Sequence, residues 1–238
     1  MKLAELDIVL PCYNPGTDWA QHIIAAFHDL QNKLPETKIN ITLVNDGSAK
    51  GIIPEDIIRL KNEIGNFNYI NYSENRGKGF ALRKGIESST ADLCIYTDVD
   101  FPYTTESILK ILDELTTSQC DIAAGVKDKN YYKHVPAFRR FISRLLRSCT
   151  GFVLRLKVND TQCGLKGFNK TGKTIFLSTT IDRYLFDLEF IFLASRNNII
   201  KIKPVEIELK ENIQFSSMRA GILFTEAGNF LKIFFKSL

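Results

Sequence analysis

Leu6-Asp7-Ile8-Val9-Leu10 opens a series of short apolar runs that alternate, through the first half of the chain, with stretches of helical period. A run of this length fits a strand, whereas Trp19, Ile23, Phe27, Leu30 and Leu34 recur at the spacing of a single helix face. The alternation continues. Ile39 to Val44 reads as a second strand, about Pro54 to Ile64 as a helix, Phe67 to Tyr72 as a short third strand and about Gly79 to Ser88 as a helix. Ala91 to Tyr96 forms a fourth strand, with Pro102 blocking any extension. Ile108, Ile111, Leu112 and Leu115 then mark another helix face, and Asp121 to Ala124 a further strand. Strands alternating with amphipathic helices predict an α/β fold with a single mainly parallel sheet, flanked on both faces. The second half is less regular. Leu165 to Asn169 reads as a strand, and the apolar run Leu185 to Phe192 as a helix with Asp187 and Glu189 in its middle.

With 238 residues, 45% hydrophobic and 24% charged, the chain can bury one full core, and no linker, repeat or low-complexity tract divides it. A single domain over 1–238 is expected, made of a half up to about residue 125 and a half beyond it. The cysteines (Cys12, Cys94, Cys120, Cys149, Cys163) are odd in number and form no C-x-x-C pair. That argues for a reducing compartment and against a disulfide framework or zinc site. Glu5 and Asp7 exclude a signal-peptide core, and no apolar stretch is long enough to span a membrane. The expected location is the cytoplasm, with any membrane contact peripheral. A net charge of +4 makes no case for a nucleic-acid partner.

Candidate chemistry sits where the strands end. The fourth strand runs into Asp98-Val99-Asp100, two carboxylates one residue apart, at the edge where open α/β sheets bind ligands. Hard oxygen ligands suit Mg²⁺ or Mn²⁺, and magnesium completes its shell with water and substrate phosphates, so a phosphorylated substrate is implied. Pro11-Cys12-Tyr13-Asn14 follows the first strand, Asn45-Asp46-Gly47-Ser48 the second, and Asn75-Arg76-Gly77-Lys78-Gly79 the third. Tyr13 offers a ring face to a base, Asp46 acceptors to a base or ribose, and Gly77 and Gly79 allow backbone amides to approach phosphate. Each segment alone also reads as an ordinary turn. Leu82 stands where a dinucleotide fingerprint has its third glycine, which argues against a nicotinamide enzyme.

In this order and these strand contexts, the four segments resemble those of family 2 glycosyltransferases of the GT-A fold, in the branch that glycosylates polyprenyl phosphates, from about Leu6 to Arg219. The resemblance implies that Pro11, Tyr13, Val44 and Asp46 hold the nucleoside, with Asn14, Gly77 and Val99 lining the same nucleotide-sugar site. It also implies Lys78 near the diphosphate, and Asp98 and Asp100 on the metal. Pro15 departs from the family's usual Glu, and Pro102 falls where mannosyl members can offer a metal-coordinating Gln. Asp160-Thr161-Gln162-Cys163-Gly164-Leu165-Lys166 resembles a segment of dolichyl-phosphate glucosyltransferases, which favours UDP-glucose over GDP-mannose as donor, and Phe186-Asp187-Leu188-Glu189 resembles the F-D-x-E of the same branch.

The acceptor is approached from charge. Arg140, Arg144 and Arg147 share one helical face beside an apolar stripe that includes Phe141 and Leu145, a pattern that suits a lipid phosphate or anionic membrane surface, or a solvated face. Leu223, Ala227, Phe230, Leu231 and Phe234 form a second such pattern, equally readable as a terminal helix docked on the core. Lys166 and Arg219 are further candidates to neutralise acceptor phosphate. A polyprenyl phosphate is already anionic and needs no strong base. A sugar hydroxyl does need one, and Glu189 or Asp187 is then the candidate. The family's chemistry implies inversion at the anomeric carbon. The alternatives are a saccharide-hydroxyl transferase of the same family and, more remotely, a noncatalytic GT-A binding module.

Overall fold

The computed structural model describes residues 3–127 and 163–210, together with 156, 161, 228–230 and 233. In chain order these form β1 (Glu5–Cys12), α1 (Trp19–Lys33), β2 (Lys38–Asp46), α2 (Pro54–Glu63), β3 (Phe67–Tyr72), α3 (Lys78–Glu87), β4 (Leu93–Tyr96), α4 (Thr105–Thr117) and β5 (Ile122–Lys127). After the undescribed stretch come β6 (Lys166–Asn169), α5 (Lys170–Leu177), α6 (Phe186–Arg196) and β7 (Ile202–Ile207).

The strands make one seven-stranded sheet in the order β3-β2-β1-β4-β6-β5-β7. Neighbours are parallel except around β6, which is antiparallel to both β4 and β5. Because β6 is inserted between β4 and β5, the sheet draws on chain from both sides of residue 125. β1 shows why the sheet is covered twice. Its side chains alternate, so Leu6, Ile8 and Leu10 enter a core with Trp19, Ile23, Leu60, Ile108 and Ile111 from α1, α2 and α4. Val9 turns to the other face, where Leu82 and Ile86 of α3, Phe176 of α5 and Phe186 and Phe190 of α6 pack. Each such fully buried side chain contributes about 1.5–3 kcal/mol.

Two elements are absent from the apolar pattern. α5 opens on a polar Lys-Thr-Gly-Lys run. Its start is instead set by Asn169, whose side-chain oxygen accepts from the amides of Thr171 (2.9 Å) and Gly172 (3.0 Å). β7 contains Pro204, which demotes a run to a non-strand unless it lies at an edge; β7 ends the strand order, so the missing donor breaks no interior ladder. A third difference is the start of α6 at Phe186, which places Asp187 and Glu189 in its first turn rather than mid-helix.

The expected basic helix around Arg140, Arg144 and Arg147 lies outside the described residues, as do Asp160, Gln162 and Arg219. Of the C-terminal pattern, 228–230 and 233 are helical; Ile233 is fully buried and Phe230 packs against the same core. No helix among the described residues is long and apolar enough to cross a membrane.

Candidate active site

Because β3, β2, β1 and β4 are adjacent and parallel, the loops after them meet on one sheet edge. Hydrogen bonds lace them together. Asn14, held at φ 45°, donates its amide to Ser48 Oγ (2.9 Å), and its side-chain oxygen accepts from the amides of Ala49 (2.9 Å) and Lys50 (3.1 Å). Asn45 accepts from the Ser48 amide and donates to Tyr69 and Asn71 of β3. Tyr13 is left 53% exposed at this edge, with its ring available to a ligand.

Asp46 serves the neighbouring loop. It is 3% exposed; Oδ1 accepts from Tyr72 Oη and the Arg76 amide (both 2.8 Å), Oδ2 from Asn75 Nδ2 (2.8 Å) and the Gly77 amide (2.9 Å). Both oxygens are therefore engaged within the protein, in competition with the expected bonds to a base or ribose. Val44 is fully buried beneath α3, so its side chain presents nothing to a nucleoside, while Pro11, its register partner in β1, stays partly exposed.

The glycine amides are likewise engaged within the chain. The Gly77 amide goes to Asp46, and the amides of Gly79 and Phe80 donate to the Asp182 carbonyl at 2.7 and 3.2 Å. A Cβ on Gly77, whose φ is 111°, would stand 2.5 Å from that carbonyl, and one on Gly79 would stand 2.7 Å from Phe186 Cβ. These glycines admit another segment of the same chain. That segment, Thr179 to Asp182, forms a strap across the start of α3. Glu189, fully buried, holds it by accepting from the amides of Thr180 (2.7 Å) and Ile181 (2.8 Å) and the Thr180 hydroxyl (2.8 Å). Arg83 binds it from α3, donating to Thr179 Oγ1 and the Ile181 carbonyl and pairing with Asp182.

At the end of β4 the chain turns sharply. The Phe101 amide donates to the Asp98 carbonyl (3.0 Å), with Phe101 buried at φ 46°, a conformation a bulky residue adopts only where the surroundings enforce it. Asp98 keeps 39% of its side-chain surface, Val99 is partly exposed and Asp100 is exposed. Although the residue is exposed, partial desolvation of its carboxyl and then the neighbouring Asp98 charge push the Asp100 pKa above the ordinary carboxylate range. The Lys78 ammonium pairs with Asp98 Oδ1. Burial alone would lower the lysine, but Asp98 and Asp187 outweigh it and hold it above its usual value, fully charged. Two carboxylates that already attract one cation, with nothing but oxygen to offer a second, fit a hard divalent ion. Among the described residues no group of three or more His, Cys, Asp or Glu is gathered for a metal, so such an ion would need phosphate and water to complete its shell.

Below this edge lies a buried cluster. Lys166, fully buried, donates to Asp187 Oδ1 (2.7 Å) and the Cys163 carbonyl (2.6 Å), while Tyr96 Oη donates to the same Asp187 oxygen (2.5 Å). Where a contact of Lys166 with acceptor phosphate was expected, its ammonium here neutralises Asp187 and fixes the turn that carries Gly164. A Cβ at Gly164 would stand 2.7 Å from Asp98 Oδ2, so that turn presses against the candidate metal carboxylate. Neither candidate base is accessible, Asp187 being 4% exposed and Glu189 fully buried. Sequence reasoning missed Arg83 and Asp182. They stand 99 residues apart, and no local pattern signals them.

Residues 7–174, more than half of the chain, match the family model for Glycosyl transferase family 2. Dolichyl-phosphate beta-glucosyltransferase of Dictyostelium discoideum is 26% identical over 89% of this chain and 70% of its own length. The Homo sapiens protein of that name is 27% identical over 90% and 71%. Among solved structures, glucosyl-3-phosphoglycerate synthase from Mycobacterium tuberculosis with UDP superposes at a TM-score of 0.70 with 13% identity, covering 98% of this chain and 80% of that one. The same enzyme with Mn²⁺ and UDP-glucose superposes at 0.66 with 14% identity over 98% and 79%. The fold is thus GT-A, the matched residues include all four loops, the Asp98-Val99-Asp100 turn among them, and the chain belongs to glycosyl transferase family 2, as a hexosyltransferase.

Proposed function

We propose that this protein is a metal-dependent, inverting transferase that moves glucose from UDP-glucose to a polyprenyl phosphate. What carries the reading is that the site gathers Asp98, Asp100 and Lys78 at its edge yet keeps both Asp187 and Glu189 buried and bonded. A hydroxyl acceptor needs a base in contact with it, whereas a phosphate acceptor attacks as the anion it already is. The names of the dolichyl-phosphate relatives support the same acceptor class.

In this mechanism Tyr13 stacks against uracil and Lys78 binds the diphosphate. Asp98 and Asp100 would hold Mg²⁺ or Mn²⁺, which supplies Lewis-acid neutralisation of the departing diphosphate. Lys78 leaves Asp98 for the phosphate oxygens once that charge is met, and adds its own stabilisation of the leaving group. The Phe101 turn and the Gly164 contact keep Asp98 in place throughout. Arg140, Arg144 and Arg147, with Arg219, are proposed for the lipid phosphate or membrane surface, at roughly 1 kcal/mol per arginine near an anionic bilayer. This puts the protein peripherally on the cytoplasmic face.

The test is transfer from radiolabelled UDP-glucose with Mn²⁺ to polyprenyl phosphate, with soluble saccharides as rival acceptors and GDP-mannose as rival donor. Labelled lipid is expected. Transfer to saccharides alone would return the function to the hydroxyl reading, and tighter binding of GDP than UDP would remove uridine. Changing the three arginines together to glutamine should weaken sedimentation with anionic liposomes and leave UDP binding intact.

A further inference from the structure

Tyr184 is 48% exposed in a segment whose neighbours Ile181, Leu185 and Phe186 are buried. The segment is not a loose loop end. Its Asp182 carbonyl accepts the Gly79 and Phe80 amides, Arg83 grips Thr179 to Asp182, and Glu189 takes the Thr180 and Ile181 amides. It lies directly on the loop that carries Lys78, since a Cβ on Gly77 would stand 2.5 Å from the Asp182 carbonyl and 3.1 Å from Arg183 Cγ.

A large aromatic ring held in water by a rigid support forfeits apolar burial unless something covers it. Its segment packs on the loop that carries Lys78, the residue assigned to the diphosphate. Tyr13 already offers a ring on the loop after β1, at the nucleoside end. We infer that Tyr184 is a binding residue for the hexose of the donor, placing its ring against the C–H face of the sugar while Lys78 holds the diphosphate. The inference rests on the nucleotide-sugar reading above. Arg83, Asp182 and Glu189 act through the strap as positioning residues.

Calorimetry in Mn²⁺ with UDP-glucose and with UDP separates the hexose from the rest of the donor. Tyr184→Ala should weaken UDP-glucose roughly fivefold or more and leave UDP unchanged, and Tyr184→Phe should bind both like the parent, because the ring and not the hydroxyl makes the contact. Equal weakening of both ligands, or of neither, overturns the assignment while the parent's own binding upholds the donor reading. If the parent binds GDP-mannose in place of UDP-glucose, the uridine reading falls and the same split between GDP-mannose and GDP decides Tyr184. A parent that binds no nucleotide sugar sinks both.

Discussion

At the scale of single residues, Asp46, Asp98 and Asp100 look alike in sequence and differ in what surrounds them. Asp98 and Asp100 face solvent at a sheet edge, repel one another and are relieved by Lys78. Asp98→Asn and Asp100→Asn should each weaken Mn²⁺-dependent UDP binding by roughly a hundredfold, about 2.7 kcal/mol. In chelator the Asp100→Asn unfolding midpoint should stay level or rise, since asparagine removes a charge that desolvation and Asp98 disfavour; a clear drop would mark Asp100 as structural. Asp46 is the reverse case. Asp46→Asn turns an amide toward donors and should cost about 1–3 kcal/mol in urea unfolding. A variant as stable as the parent but unable to bind UDP would make Asp46 a ligand after all.

At the scale of elements, the junction of α3, α6 and the strap is built on close approach. Gly79→Ala should destabilise by about 1–3 kcal/mol, because its Cβ meets Phe186 Cβ at 2.7 Å with backbone behind it. Gly16→Ala is the control: nothing lies within 4 Å of its Cβ, so denaturant unfolding should shift by less than about 0.5 kcal/mol. The Thr180 and Ile181 amides share one Glu189 oxygen, Oε2, so Glu189→Ala should let both exchange hydrogen faster than in the parent while β1 and β2 amides are unaffected. Unchanged exchange at those two amides would show that Glu189 does not hold the strap.

Across the whole molecule, a core that closes over both sheet faces also sets thiol chemistry. Burial pushes Cys12 and Cys94 up to about 12 and Cys120 up to about 11. At pH 8 these thiols should stay unlabelled by a thiol reagent until denaturant is added, as read by mass spectrometry of each peptide. The same shifts carry a sign for stability. The folded state keeps protons that the unfolded chain releases above about pH 8.5, so this contribution is intact below that value and declines as pH rises toward 11 and 12. Native labelling at pH 8 would show the core to be more open than its packing implies.

The sequence by itself determined the succession from β1 to β5 and the location of the site, because apolar period and turn chemistry are local and the strand-end loops of a parallel sheet necessarily share one edge. The Asp98-Val99-Asp100 turn and Lys78 were legible for that reason. The insertion of β6 between β4 and β5 was not, since an antiparallel strand entering from the second half leaves no local trace in either partner. Nor was the engagement of Asp46, Lys166 and Glu189 inside the protein, or the strap that takes the Gly79 amide. A polar residue in a loop reads as available, and whether it meets a ligand or another part of the chain depends on what arrives from far along the sequence. Arg83 and Asp182 stand 99 residues apart and meet only when α3 and the segment before α6 pack on the same face of the sheet.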